Sequence, residues 1–263
     1  MQKKWQKTLL KIYKLTKIFC DIADIKEIKK FNKKNIVKGF TTNPSLMRKA
    51  GAKDYSLYSK KILKLTNKPV SCEVFADDEK NMIKQGLKIS KWGRNVYVKV
   101  PVTNSKGKFM GKVIHELNKK KIKLNITAVY TAKQTMKILK KIDKKTKVII
   151  SIFAGRMADV GKDPLPEFKS SIKLSKKFKN VEILWASVRE PYNYIQAKQL
   201  GCHIITIPPS IIEKIENFGK SYNKLTVETV KTFLNDSKKS NFKIDYWSEI
   251  SSRYLKYFGQ VVL

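Results

Sequence analysis

The sequence predicts an α/β fold, a single (β/α)8 TIM barrel with extra helices at both termini. Eight short runs rich in Val, Ile and aromatic residues alternate with longer helical patterns. Several runs are apolar on both faces, as parallel strands are when helices cover the sheet. A length of 263 residues suits one such barrel. An open doubly wound sheet is the competing arrangement, but the sequence has no GxGxxG loop to favour it.

The predicted strands leave room for a helix after each of them. In chain order they are KIFCDIA (17–23), VKGFTT (37–42), VSCEVF (70–75), VYVKVP (96–101), IKLNITA (122–128), KVIISIFA (147–154), VEILWAS (181–187) and HIITIP (203–208). Helical periodicity is clearest over 77–92 and 131–145. Asp77 and Asp78 suit a helix N-terminus, and Asp24 can cap the helix after the first strand.

We expect residues 1–263 to form one domain. The basic segment 1–16 is predicted to be a short helical extension packed on the barrel, and it fits a signal peptide poorly. Residues 220–263 are predicted to hold further helices, around 225–236 and 246–258.

The chain is strongly basic, with 57 Lys and Arg against 21 Asp and Glu, a formal net charge of +36. Such a charge favours anionic partners such as nucleic acid, membrane surfaces or phosphorylated metabolites. Only five of these residues are arginines, however, and nucleic-acid and phosphate sites favour the bidentate guanidinium. The lysines are also spread over every helix. We therefore interpret most of them as solvated surface charge and expect no nucleic-acid or membrane partner.

The three cysteines carry little information. Cys20, Cys72 and Cys202 are widely spaced, and with two histidines they form no zinc-ligand pattern, so no metal is expected. Unpaired thiols are typical of a reducing cytoplasm, which is the predicted location. No apolar run approaches the roughly 18 residues of a membrane span.

Lys99 stands inside the fourth predicted strand, where the pattern asks for an apolar residue. A buried lysine loses hydration and needs either a partner or a function. In a barrel, active-site residues lie at the C-terminal ends of the strands, and every predicted strand carries a polar residue there. They are Asp21, Thr41, Thr42, Asn43, Glu73, Lys99, Asn125, Thr127, Ser151, Arg156, Ser187, Arg189 and Thr206.

These residue types suit Schiff-base chemistry. A buried amine in its neutral form attacks a ketone, and the resulting iminium draws electrons from a carbon–carbon bond. Glu73 and Asp21 supply carboxylates for the proton transfers, and either of them can take either role. Arg156 and Arg189 end the sixth and seventh strands, where barrels often bind phosphate, so they suggest a phosphate clamp with Ser187. The residues alone thus favour an aldolase for a sugar phosphate.

Five segments resemble the transaldolase family in order and spacing, over roughly residues 17–215. They are GFTTNPSL (39–46), VYVKVPVT (96–103), LNITAVYTAKQ (124–134), SIFAGRMAD (151–159) and LWASVRE (184–190). The resemblance implies a (β/α)8 barrel whose Schiff-base lysine, here Lys99, lies on the fourth strand, without cofactor or metal. The motifs depart from the family at Ile22 and Lys38, where Thr and Asp are usual, which puts the substrate in question more than the reaction.

The resemblance implies a role for each site residue. Lys99 forms the Schiff base, Asp21 takes the hydroxyl proton during bond cleavage, and Glu73 activates a water held with Thr127. The remaining implied contacts are Asn43 and Asn125 on the dihydroxyacetone hydroxyls, Thr41 and Ser151 in the pocket wall, and Arg156, Ser187 and Arg189 on the phosphate.

Two positions bear on the subtype. Aldolase members of the family resemble one another in having Gln at the position of Glu73 and Tyr at that of Phe153. Glu73 and Phe153 are the residues of the transaldolase members, so the resemblance implies a cytoplasmic transaldolase of the pentose phosphate pathway, acting on sugar phosphates. A fructose-6-phosphate aldolase, or an aldolase of polysaccharide synthesis on another sugar, is the alternative, and a homo-oligomer is left open.

Structural interpretations compete with these roles. Lys99 can be an ion-paired lysine at a strand end, and Asp21 a helix cap. Asn43 can start a turn before Pro44, and the arginines can bridge helices to strands. The rival functional classes are a basic nucleic-acid-binding protein and a barrel that binds sugar phosphate without catalysis.

Overall fold

The computed structural model describes residues 16–244 as eight parallel strands in a closed barrel, with β8 paired to β1. This confirms the predicted (β/α)8 barrel. The strands are β1 Lys17–Asp21, β2 Val37–Thr41, β3 Val70–Glu73, β4 Val96–Pro101, β5 Leu124–Val129, β6 Val148–Phe153, β7 Val181–Ala186 and β8 Ile204–Ile207.

At least one helix follows each strand, as the alternating pattern predicts. The helices are α1 Ile25–Asn32, α2 Pro44–Lys49, α3 Tyr55–Lys64, α4 Glu79–Ser90, α5 Gly111–Lys119, α6 Ala132–Leu139, α7 Ala154–Ala158, α8 Leu165–Ser175, α9 Tyr192–Gln199, α10 Pro209–Glu216 and α11 Tyr222–Lys239.

Helix ends follow local side-chain chemistry. Asp24 caps α1 and Asp78 caps α4, as expected, whereas Asp77 binds Ser105 instead. The helix predicted over 131–145 begins with the capping box of Thr131 and Gln134 but ends at Leu139. It ends early because Asp143 accepts the main-chain N–H groups of residues 145 and 146 and so closes a turn.

The core has two layers. Inside the barrel, Phe19, Tyr97, Ile149, Leu184 and Ile204 pack together and fill the middle of the barrel below the C-terminal strand ends. Outside it, the other face of each strand packs against the helices in a larger apolar cluster. This double burial explains why the strands read as nearly continuous apolar runs.

The pairing register sets the level of the polar side chains. Glu73 on β3 pairs with Lys99 on β4, and Lys99 pairs with Asn125 on β5. Asp21 on β1 pairs with Thr41 on β2. Because alternate residues of a strand share one face, these side chains come to the same end of the barrel interior.

The chain divides into two compact units, residues 1–216 and 217–263. In the second, α11 includes the helix predicted around 225–236, and its apolar residues, among them Leu225 and Phe233, are exposed. The structure describes neither residues 1–15 nor residues 245–263. The helix expected over 246–258, and the one expected within 1–16 apart from Thr16, therefore lie outside the described residues. The single-domain boundary of 1–263 stays a prediction.

Candidate active site

A cavity of about 220 Å³ lies at the C-terminal ends of the strands. Of the polar residues predicted at the strand ends, Glu73 and Thr42 do not line it. The Glu73 carboxylate and the Thr42 carbonyl lie beside Lys99. The predicted residues on its wall are Asp21, Thr41, Asn43, Lys99, Asn125, Thr127, Ser151, Phe153, Arg156, Ser187, Arg189 and Thr206. Residues from seven different strands or the loops after them thus converge on one space.

Lys99 is held at the floor of this cavity by two contacts. Its Nζ lies 3.0 Å from a carboxylate oxygen of Glu73 and donates a hydrogen bond to the carbonyl of Thr42 at 3.1 Å. The residue is only 7 % exposed. An amine so placed has a carboxylate that can take its proton and a cavity in which it can meet a carbonyl carbon.

The backbone of Glu73 is fixed by a tyrosine that the sequence analysis did not find. The Tyr55 hydroxyl on α3 donates to the carbonyl of Glu73 at 2.9 Å and accepts from its N–H at 2.7 Å. The last residue of β3 therefore has both main-chain groups satisfied, and its side chain is directed at Lys99 from a fixed position.

Asp21 is the second carboxylate of the site. Thr41 donates to its Oδ1 at 2.6 Å, and the Thr41 hydroxyl lies 2.5 Å from that of Thr206 on β8. Burial raises the pKa of Asp21 above its usual value, and the repulsion of Glu73 adds to this, although Thr41 and the Lys99 charge act in the opposite direction. A carboxylate with a raised pKa is a stronger proton acceptor.

A polar network crosses the floor between β3, β5 and β6. Asn125 donates to the Ser71 hydroxyl at 3.0 Å and accepts from Ser151 at 2.6 Å. One further N–H of the Asn125 amide remains for another acceptor. Asn43 lines the cavity and also accepts the N–H of Leu46 at 2.9 Å, so it caps the N-terminus of α2.

Thr127 is presented by an irregularity in β5. The register between β5 and β6 shifts after Ile126, and Ala128 adopts a left-handed φ of 57° that non-glycine residues avoid. The Thr127 hydroxyl is buried, and no described residue forms a hydrogen bond with it. It is therefore available to a substrate atom or a water at the cavity wall.

Arg189 is oriented by an acidic partner that the sequence analysis missed. Asp159 accepts from Nε of Arg189 at 2.9 Å and from one Nη, and this pairing lowers the pKa of Asp159. Asp159 lies three residues after Arg156, at the end of SIFAGRMAD (151–159), but its pairing with a residue of a distant loop has no local signal. The end of the guanidinium formed by its two Nη groups remains open for a phosphate.

Helix α7, which carries Arg156, touches the backbone of the loop that carries Arg189. A Cβ on Gly155 would lie 1.7 Å from the carbonyl oxygen of Ser187, so only glycine allows this approach. Ser187 itself has a left-handed φ of 63°. This contact places Ser187 beside Arg156 and Arg189 on the same side of the cavity.

The sequence profile of Transaldolase/Fructose-6-phosphate aldolase matches residues 18–252. The chain belongs to this transaldolase/fructose-6-phosphate aldolase family. Relatives of this chain carry the name "Probable transaldolase". The protein from Thermoanaerobacter sp. (strain X514) is 31 % identical over 229 residues, 87 % of this chain and 100 % of that protein. The protein from Methanococcus maripaludis (strain C7) is 34 % identical over 221 residues, 84 % of this chain and 96 % of that protein.

Solved structures of other proteins share the fold of this family member. A putative dihydrodipicolinate synthase family protein from Coccidioides immitis superposes with a TM-score of 0.54 at 10 % identity, covering 74 % of this chain and 67 % of that one. A putative phosphonomutase from Burkholderia cenocepacia gives a TM-score of 0.53 at 8 % identity, covering 84 % and 95 %.

Within residues 16–244 of this transaldolase-family chain, no group of three or more His, Cys, Asp or Glu side chains is arranged to hold a metal ion. In the same range no helix has both the length and the apolar character needed to cross a membrane.

Proposed function

We propose that the protein is a transaldolase. It transfers a dihydroxyacetone unit from a ketose phosphate, sedoheptulose 7-phosphate or fructose 6-phosphate, to an aldose phosphate through a Schiff base on Lys99. The observation that carries the proposal is the buried Lys99 amine, 3.0 Å from Glu73 on the floor of a cavity that Asp21 also lines. Family membership and the names of the relatives support the reaction class.

Imine formation needs a proton acceptor beside the amine. Glu73 takes the proton from the Lys99 ammonium, and the neutral nitrogen attacks C2 of the ketose. The carbinolamine hydroxyl then accepts a proton delivered from Glu73 through a water at Thr127 and leaves as water. The product is an iminium that serves as the electron sink, so the steps require no cofactor or metal.

Cleavage uses the second carboxylate. Asp21 accepts the proton of the C4 hydroxyl while the C3–C4 bond breaks and its electron pair passes into the iminium. The aldose phosphate leaves and an enamine remains on Lys99. In the transfer step, C3 of the enamine attacks the acceptor aldehyde, the iminium forms again, and Asp21 returns a proton to the new hydroxyl. Glu73 then activates a water held with Thr127, which adds to C2 of the iminium; the C2–N bond breaks, and the product ketose phosphate leaves with Lys99 regenerated.

Binding follows the charges of the cavity wall. Arg156, Arg189 and Ser187 offer donors to the phosphate of donor or acceptor, with Arg189 using the face that Asp159 leaves open. Asn43 and Asn125 contact the dihydroxyacetone hydroxyls, and the polar wall of Thr41 and Ser151 bounds the same space. The proposed partners are thus sugar phosphates, in the pentose phosphate pathway of the cytoplasm.

Transfer is favoured over release of free dihydroxyacetone because of Phe153. A tyrosine hydroxyl at this point of the wall would protonate the enamine, and phenylalanine has no proton to give. The enamine therefore survives until an acceptor binds. The same reasoning distinguishes a transaldolase from the fructose-6-phosphate aldolases.

The test is a transfer assay with fructose 6-phosphate as donor and erythrose 4-phosphate as acceptor. We expect sedoheptulose 7-phosphate to form only when both are present, with little free dihydroxyacetone. Lys99→Arg should abolish the reaction and Lys169→Gln, an exposed change on α8, should leave it unaltered. Equal release of dihydroxyacetone with and without acceptor would identify an aldolase instead, and no product at all from this donor and acceptor would contradict the proposal.

A further inference from the structure

A second cavity lies at the N-terminal mouth of the barrel, at the end opposite to the candidate active site. Its volume is about 480 Å³. Its wall includes the residues that lead into four consecutive strands, β3 to β6, namely Pro69, Asn95, Lys123 and Lys147. Barrel enzymes carry out their chemistry at the other end, so this cavity is separate from the reaction proposed above.

The wall of this N-terminal cavity carries four cationic side chains, Lys64, Arg94, Lys123 and Lys147, and no carboxylate. Within residues 16–244, none of the four forms an ion pair. Glu182, near the start of β7, is already paired with Lys17 at 2.7 Å. Unneutralised like charges around one concave space raise its positive potential and favour capture of an anion.

Lys123 is the most enclosed of these cations. It is half-buried, its Nζ donates to the main-chain carbonyl of Arg94, and it lies 5.3 Å from the ring centroid of Tyr97. Burial, and then the charge of Lys147, lower the pKa of Lys123. These contacts fix the ammonium in position without cancelling its charge, and a bound anion would supply the missing countercharge.

The loops around the cavity are held in one arrangement. The Asn95 amide donates to three carbonyls of the segment before β3, those of Leu63 at 3.3 Å, Thr66 at 2.7 Å and Lys68 at 3.2 Å. A Cβ on Gly93 would lie 2.9 Å from Oδ1 of Asn95, so any other residue at position 93 would displace the Asn95 amide from this arrangement. A site formed before binding loses little conformational entropy when the ligand enters.

We propose that this cavity binds a small molecule carrying at least two phosphate groups. Arg94 offers a planar fork for one phosphate, and the lysines act as point charges around the others. Four unpaired cations exceed what a single phosphate neutralises, and the volume lies in the range of small-molecule sites. The Trp92 ring on the same wall gives an apolar surface for the organic part of such a ligand.

Calorimetric titration with inorganic pyrophosphate tests the proposal, because the probe has two phosphates and no sugar. The variant Arg94→Gln/Lys123→Gln removes the central cations. The matched control Lys169→Gln/Lys176→Gln removes the same charge from exposed positions on and after α8, and Arg156→Gln/Arg189→Gln removes the arginines proposed for the substrate phosphate. Folding of each variant is checked by its unfolding temperature, and that of the first variant also by retained transfer activity.

We expect pyrophosphate to bind with at least tenfold weaker affinity to Arg94→Gln/Lys123→Gln and within twofold of the wild type to the other two variants. Adenosine diphosphate binding more tightly than pyrophosphate would indicate a nucleotide stacked on Trp92, and equal affinities would indicate recognition of the phosphates alone. Equal losses of affinity for pyrophosphate in all three variants would show that only the net charge matters and would overturn the proposal. Loss of affinity only in Arg156→Gln/Arg189→Gln would also overturn it, and so would a wild-type protein that binds heparin but shows no binding of pyrophosphate. The transfer assay is independent of each of these outcomes.

Discussion

Replacing Asp21 by Asn should stabilise the protein at neutral pH while abolishing cleavage. The carboxylate lies in the barrel wall, where desolvation outweighs the help of Thr41 and Lys99 and raises its pKa. The Asn oxygen can still accept the Thr41 hydroxyl at about the same distance, so the substitution removes mainly the charge.

The expected gain in the free energy of unfolding follows from opposing contributions. Burying a carboxylate costs several kcal/mol, whereas a hydrogen bond to a charged group contributes only about 1.5–3 kcal/mol. The Asn variant keeps a neutral hydrogen bond of about 1 kcal/mol and loses the attraction of Lys99. We therefore expect a net gain of about 1–2 kcal/mol, which raises the unfolding temperature by about 2–4 °C per kcal/mol for a chain of this size.

The pH dependence distinguishes this cause from a change in packing. A carboxyl group whose pKa is raised by folding does not lower the free energy of unfolding at a pH below 3.8, the value for the unfolded chain. The loss of stability grows above that pH and is complete once the pH has risen through the pKa of the folded state. The gain in the Asn variant should thus be full at pH 8 and shrink toward zero as the pH falls to about 4. Urea unfolding of both proteins across this range measures it. A gain independent of pH, or a less stable variant at pH 8, would refute the reasoning.

Three further substitutions probe the walls of the site. Gly155→Ala should raise KM for phosphorylated substrates and destabilise the fold by about 2–3 kcal/mol in urea unfolding, because the new Cβ overlaps the carbonyl of Ser187; a variant with unchanged KM and stability would contradict the close approach. Thr206→Val should lower kcat about tenfold with KM little changed, because the Thr41 hydroxyl loses its hydrogen-bond partner. Thr206→Ser keeps that hydroxyl and should restore the rate. Equal kinetics of the two variants would argue against a role for the hydroxyl network. Phe153→Tyr should raise the rate of dihydroxyacetone release by about tenfold or more in an acceptor-free assay. No increase would show that the residue at position 153 does not control protonation of the enamine.

The barrel was predictable because its strands are buried on both faces. The run around Lys99 reads as a strand by its valines alone, and a lysine in that run is conspicuous. The convergence of Asp21, Glu73 and Asn125 was predictable too, because parallel strands in sequence order bring their C-terminal ends to one side. Local spacing and strand order were sufficient for both.

Other features depend on contacts between distant segments, and the sequence contained no sign of them. Tyr55 looks like an ordinary residue of an amphipathic helix, although its hydroxyl holds the backbone of Glu73. The pairing of Asp159 with Arg189 arises where two loops meet. The left-handed φ of Ala128 and Ser187 is imposed by tertiary packing on residues that do not prefer it. The cations of the second cavity are also drawn from segments far apart in the chain.

The central claim is that Lys99 forms an imine with a three-carbon ketone fragment. Borohydride reduction in the presence of fructose 6-phosphate, followed by intact-mass measurement and peptide mapping, tests it most directly. The account predicts one adduct with the mass of a reduced dihydroxyacetone imine, located on Lys99 and missing in Lys99→Arg. Failure to trap an adduct with any ketose phosphate, or an adduct on another of the many lysines that persists in Lys99→Arg, would contradict it.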